Sequence, residues 1–450
     1  MNKKTRHILR GFSILLFVIL FCKMGFSQAE YTLYGFDYVP QSNHLNPAAI
    51  PDAKMVIGIP FLSSLAVSAY STGFSFNDLF TEQGDSLYFN LEPIISGSDA
   101  MNYVTAFFDM DIIYFGYKIK KGYLNVGIRH RIYARAFYAT DLLKLAWYGN
   151  NAYIGENLDL SPTWVNADEF NSWYAGYAFP IGKRVEMGVR FNINQGISNI
   201  HTVKSEVSLR TEKNEASVYQ VYAQTNYQIN TSNLSNQKGV GSYFFDFNNF
   251  GISLDLGATF QVHNQVKLSL SILDLGYISW ESDIASYHGA YEEVVFTGVY
   301  ADPDVKDEDV FQMYSDTLKK LFEPIESSFP YSAALPARIL VGGEYFFKND
   351  ANRASFLFSG RLMHGYFEPS FSLAYDMKVS RVFAFKASYT YLKYSPFNLG
   401  VGIVIDARPF QFYIMTDNII APFDLFGTKY MNFHLGFNLV WPRNAKKNGE

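Results

Sequence analysis

The sequence has few of the features that mark soluble enzymes and secreted disulfide proteins. Its 450 residues hold one cysteine, Cys22, which excludes a disulfide framework and sustained thiol chemistry. Charged residues make up 18%, below the roughly 25% of ordinary globular domains. After the N-terminus there is no run of about 18 apolar residues, so no helix is long and apolar enough to cross a bilayer. There is no glycine-rich phosphate loop and no G-x-S-x-G element. His44, His130, His201, His263, His288, His364 and His434 lack metal-ligand spacing. These absences predict no enzyme activity, no metal and no cofactor.

The N-terminus has its own signature. Lys3, Lys4, Arg6 and Arg10 precede the apolar stretch Gly11–Phe21, and Gly25-Phe26-Ser27 places small residues at −3 and −1. This reads as a secretory signal, residues 1–27, cleaved before Gln28. Cleavage removes Cys22, and it takes the net charge from −5 to about −10 because five bases and no acids leave. A strongly acidic mature chain argues against nucleic-acid binding.

What is abundant is alternation. In Phe250–Trp280, Phe250, Ile252, Leu254, Leu256, Ala258, Phe260 and Val262 share one face, and the residues between them are small or polar. After His263-Asn264-Gln265 the pattern resumes with Val266, Leu268, Leu270 and Ile272. Period two over this length matches a membrane-spanning β-hairpin, whose strands need about 9–11 residues. Tyr and Phe together number 74, as aromatic girdles at two membrane interfaces require.

The same unit recurs along the chain. Hairpins are predicted at 107–119/123–138, 169–179/185–198, 338–347/353–363, 367–378/381–394 and 398–407/410–416, with a last strand at 429–441 and a first at 64–74. Met55–Ile59 is too short to count. Residues 77–106 read as an irregular loop with a helical turn near Ala100–Thr105. Short turns and long connections alternate without exception, as in bacterial barrels with short periplasmic turns and long outer loops. The fold class is all-β: a transmembrane antiparallel barrel of about 14 strands. The polar hairpin 200–229 and the acidic insertion 281–335, with a helix over 307–322, lie outside. Asp302, Asp304, Asp307, Glu308 and Asp309 lack the glycine and closing glutamate of a calcium loop. Residues 28–62 form an N-terminal periplasmic segment, 63–441 the barrel and 442–450 a tail.

Arginine on the lipid face costs about 2–4 kcal/mol at mid-bilayer, so the polar faces turn inward. The lumen-lining candidates are Arg129, Arg131, Arg135, Glu186, Arg190 and Asp255. Paired structural charge is the simpler reading of them, and a ligand pathway the sharper one.

Asn46-Pro47-Ala48, just before the first strand, resembles the hatch-to-barrel region of FadL-like fatty-acid transporter barrels and of PorV-like barrels. Leu45–Ala53 followed by Ser71–Leu79, and more loosely Asp274–Trp280, resembles an uncharacterised family of Bacteroidota outer-membrane barrels. The resemblance implies 14 strands and a hatch made by Leu45, Asn46, Pro47, Ala48, Ile50 and Pro51. It implies a monomer in outer-membrane lipid that moves or binds a hydrophobic small molecule. A surface scaffold with a secretion or surface protein partner is the second reading, and a simple diffusion pore the third.

Overall fold

The structure is a computed structural model that describes residues 30–83, 86–213, 219–234, 240–289, 293–296, 325–347, 351–363, 366–424 and 426–442. The expected signal, the helix expected over 307–322 and the acidic residues before it lie outside the described residues.

Fourteen antiparallel strands close into one barrel. In chain order they are β1 (Met55–Gly58 and Leu65–Ser71), β2 (Met101–Ile119), β3 (Gly122–Ala139), β4 (Trp164–Ile181), β5 (Val185–Lys213), β6 (Phe250–His263) and β7 (Val266–Trp280). There follow β8 (Arg338–Phe346), β9 (Asn352–Met363), β10 (Tyr366–Lys378), β11 (Phe383–Leu392), β12 (Ser395–Ala407), β13 (Phe410–Thr416) and β14 (Tyr430–Trp441). Each pairs with its sequence neighbours, and β14 returns to β1 through Met55↔Trp441 and Leu65↔Leu435. Closure leaves no edge strand unpaired, as a sheet within lipid requires.

Met55–Gly58 corrects one expectation. It is the lower half of β1, paired with both β14 and β2, so the wall begins at Met55 rather than at residue 63. The count of fourteen stands because both halves of β1 run in one direction along the same neighbours. Pro60 has no N–H for the ladder, so residues 59–64 loop out. Phe61 and Leu62 are exposed there, and Ser63 and Ser64 are buried. The helical turn expected at Ala100–Thr105 is also displaced. A short helix covers Glu92–Gly97, and β2 begins at Met101. Near-unbroken alternation carries β2 further than its polar start suggests.

Alternation sorts the wall into two faces. On β5, Met187, Val189, Phe191 and Ile193 are exposed, and Gly188, Arg190, Asn192 and Asn194 between them are buried. The exposed apolar band faces lipid. Above it β5 continues and pairs with Tyr219–Ser232, which also pairs with Ile284–His288 and Glu293–Phe296. This sheet rises from the long-loop end. Tyr331–Ala334 extends the β7 ladder beyond β8.

Phase changes occur at bulges. Asp274 in β7 has φ +58°, a left-handed conformation uncommon outside glycine. The pairing of β6 with β7 shifts there, between Leu254 and Leu256. Inward positions change from Ser269 and Ser271 to Ile278 and Trp280, both buried.

Candidate functional site

Residues 30–53 lie inside the barrel and touch strands on every side. They contain no long element, only a short 3-10 helix, Pro40–His44, whose five residues are all buried. Buried backbone groups outside a ladder need other partners, and side chains of the wall supply them. Asp417 accepts the N–H groups of Thr32 at 2.7 Å and Tyr31 at 3.2 Å. Lys386 donates to the Tyr34 carbonyl at 2.6 Å, and Arg190 to the Asn43 carbonyl at 2.8 Å. Arg353 donates to the Gly35 carbonyl, and it pairs with Asp37 at 2.9 Å, Glu344 at 2.8 Å and Asp376 at 2.7 Å. Gln41 and Asn438 exchange two amide hydrogen bonds of 2.8 and 2.9 Å.

The segment then turns at Asn46-Pro47-Ala48. The Asn46 side-chain oxygen accepts the Ala48 N–H at 3.0 Å, a local turn that asparagine favours. Leu45, Asn46, Pro47, Ala48 and Pro51 are buried and Ile50 is half-buried. Below the turn, a cavity of about 330 Å³ opens at the short-turn end beside Lys183, Arg184, Glu186, Lys267 and Glu344. Glu186 is half-buried there and accepts the Thr259 hydroxyl at 3.1 Å.

The remaining polar-face residues gather near the middle of the lumen. Arg129 binds Asp109 through two bonds of 3.0 and 2.5 Å. Arg131 binds Asp274 at 2.5 and 2.8 Å. The bulge is what aims Asp274 there, and its N–H donates to Asp255 at 2.7 Å. Arg190 lies 3.6 Å from Asp255. Glu30, in the N-terminal segment, approaches Arg338 at 3.7 Å. Burial, with Asp109 close by, pushes the Glu30 carboxyl up to about 7 against the pull of Arg129 and Arg338.

Toward the long loops the lumen is aromatic. Tyr103, Phe137, Tyr70 and Tyr430 are buried together, with Trp164 and Tyr366 packed against them. Phe137 and Trp164 stack at 3.9 Å, and Tyr366 lies 5.6 Å from Tyr103 and 5.8 Å from Phe137, ring centre to ring centre. Arg135 sits beneath this layer. It binds Glu368 at 2.7 Å, and its guanidinium lies over the Tyr103 ring.

Other polar pairs carry no such architecture. Ser64 and His434 are 2.8 Å apart, the spacing of a nucleophile and its base. The far nitrogen of His434 has no partner among the described residues, and both side chains are buried. Among the described residues no acid orients the ring, and both side chains pack in the interior. Among the described residues, no three His, Cys, Asp or Glu side chains converge as metal ligands.

A family model described as a family of unknown function, DUF5723, matches residues 47–417. The chain belongs to that family. The match thus runs from Pro47, in the turn on the inner wall, to Asp417, which holds the start of the segment. Among solved structures, the Ralstonia pickettii toluene transporter TbuX is similar over 89% of this chain and 93% of its own. Its identity is 10% and its TM-score 0.41. A Pseudomonas aeruginosa FadL homologue is similar over 93% of this chain and 100% of its own, at 11% identity and a TM-score of 0.42. The translocator domain of the Neisseria meningitidis autotransporter NalP is similar over 88% and 91%, at 8% identity and a TM-score of 0.32. No curated protein matches.

Several residues that hold the segment or cross-link the inner wall were missed from sequence: Arg353, Lys386 and Asp417 for the segment, Glu344 and Glu368 for the wall. Four of them were findable. Arg353, Lys386, Glu344 and Glu368 occupy the polar phase of their strands, the criterion that selected Arg129 and Arg190. Asp417 was not findable, because it lies just past the end of β13.

Proposed function

We propose that this protein is an outer-membrane barrel of a Gram-negative bacterium that captures a hydrophobic small molecule at its long-loop mouth and moves it inward. The short turns then face the periplasm. Residues 45–53 act as a hatch, and the charges around Arg129, Arg131 and Arg190 line the path. One observation carries this reading. Residues 30–53 fill the lumen from the short-turn end up to Tyr31, which packs against the aromatic side chains that line the long-loop half. A segment held in the lumen by polar contacts suits a barrel that must not leak, and an aromatic layer suits an apolar solute.

The test is extraction of purified protein with organic solvent and mass spectrometry of what was bound. Uptake assays should compare wild type with Pro47→Ala/Pro51→Ala. A bound hydrophobic compound, with uptake lost in the hatch variant, is the expected result. Steady conductance of wild type in planar bilayers, as from an open water pore, would overturn it.

The sheet above β5 favours a second reading, a surface scaffold for a protein partner. That reading predicts a partner retained by wild type in pull-downs and lost when residues 200–229 are deleted.

A further inference from the structure

Glu368 and Arg135 come from β10 and β3, seven places apart either way around a ring of fourteen strands. Their bond of 2.7 Å therefore joins opposite sides of the barrel. Tyr103 of β2 donates its hydroxyl to the same carboxylate. Beside the bond, Tyr366 of β10 packs on Tyr103 and Phe137. Side chains from opposing walls meet across the lumen at this level, with Tyr31 of the N-terminal segment packed against the same aromatic layer.

Arg361 has no such bond. In register it stands between Arg338 on β8 and Glu368 on β10. It is 8% exposed, one guanidinium nitrogen is buried without a partner, and no carboxylate of the described residues lies within salt-bridge distance. Two cations opposite each other in a ladder repel. A small cavity of about 20 Å³ adjoins them, but Glu30, Asp109, Asp255 and Asp274 also line it. Arg129 and Arg131 line it too, and a space of that size holds no more than about one water, so the natural partner is a carboxylate the chain already owns. Directly opposite residues have Cβ atoms about 4.5–5.5 Å apart. Glu368 therefore reaches Arg361 by a change of rotamer, with no movement of the backbone.

We propose that Glu368 is a two-position latch: bound to Arg135 and Tyr103 it closes the long-loop half of the lumen, and bound to Arg361 it releases the opposite wall. Each position leaves one buried arginine without a carboxylate. When Glu368 leaves, Arg135 keeps the Thr105 hydroxyl at 3.1 Å and the face of Tyr103 at 4.6 Å. When Glu368 arrives at Arg361, the Arg338–Arg361 repulsion is offset. In each arrangement one of the two arginines pairs with Glu368 and the other has no carboxylate, the balance a bistable element needs. The latch extends the transport reading by giving the barrel a second closure. Its test uses no hydrophobic compound, so either proposal can fail alone.

The full-length barrel is spin-labelled at Ala136→Cys and Phe367→Cys, outward positions beside the latch, and the distance between them is read by pulsed EPR in nanodiscs. Arg135→Met should move most of the population to a distance longer by several ångströms. Arg135→Lys should restore the short distance. Arg361→Met should deplete the long-distance fraction of wild type. If Arg135→Met does not fold, Glu368→Gln serves in its place with the same expected lengthening, because a neutral amide holds Arg135 weakly. A distance distribution unchanged in Arg135→Met or Glu368→Gln would overturn the proposal. So would a long-distance fraction undiminished in Arg361→Met.

Discussion

Gly188 and Gly257 are register partners on β5 and β6, and the Asn46-Pro47-Ala48 turn lies directly over both. A Cβ on Gly188 would sit 2.1 Å from the Pro47 carbonyl, and one on Gly257 would sit 2.4 Å from the Asn46 side-chain oxygen. The pair is a shallow seat, cut in the inner wall, into which the turn fits.

Filling the seat should therefore unseat the segment. Valine suits a strand, so Gly257→Val leaves β6 intact and overpacks the turn, at a cost of about 1–3 kcal/mol. Gly343→Val is the control, because a Cβ there meets only a leucine methyl at 3.6 Å. Denaturant midpoints in detergent should fall for the first variant and stay for the second. Equal midpoints would show that the turn does not occupy the seat.

Arg190 links the segment to the wall. Arg190→Met removes the donor to the Asn43 carbonyl and the cation nearest Asp255. An uncompensated buried charge costs about 3–5 kcal/mol, and equilibrium unfolding should report a loss of that order. Arg190→Met/Asp255→Asn should recover part of it. A double variant no more stable than the single one would mean that Asp255 does not depend on Arg190.

The Glu30 carboxyl is raised to about 7, so the folded state favours its protonated form. The stabilisation this gives is complete below the unfolded pKa near 4.3 and is lost as pH rises through about 7. Wild type should lose thermal stability relative to Glu30→Gln between pH 5 and pH 8. A difference between the two proteins that does not change with pH would refute the assignment.

The lipid band can be mapped with one charge. Val189→Arg lies within the exposed apolar band of β5 and should destabilise the barrel by about 2–4 kcal/mol. Val203→Arg, on the same strand above the barrel, is 51% exposed and should change the unfolding midpoint little. Similar losses at both positions would place the membrane boundary higher on β5.

Much of the wall was legible because period-two alternation is a local property. A residue and its second neighbour must face the same solvent, so Met187 through Ile193 declare the lipid side and Arg190 the lumen. Strand ends were less legible. Polar starts such as Met101–Thr105 do not alternate by hydropathy, and Pro60 splits β1 into halves that look unrelated. The bulge at Asp274 was invisible, because nothing in Leu273-Asp274-Leu275 states which residue adopts a left-handed backbone.

Although the β9–β10 and β11–β12 connections at the long-loop end are only two residues each, the sequence by itself determined the strands, their number and the inward turn of the arginine faces. All of these follow from the requirement that each short stretch satisfy lipid on one side. Only the tertiary structure decided which charges meet. Closing the ring brings β3 opposite β10, so that Arg135 finds Glu368 233 residues away and Arg361 is left beside Arg338. It also folds residues 30–53 into the lumen, where wall cations take their carbonyls. Such pairings depend on barrel circumference and register, which the whole chain sets together and no local pattern records.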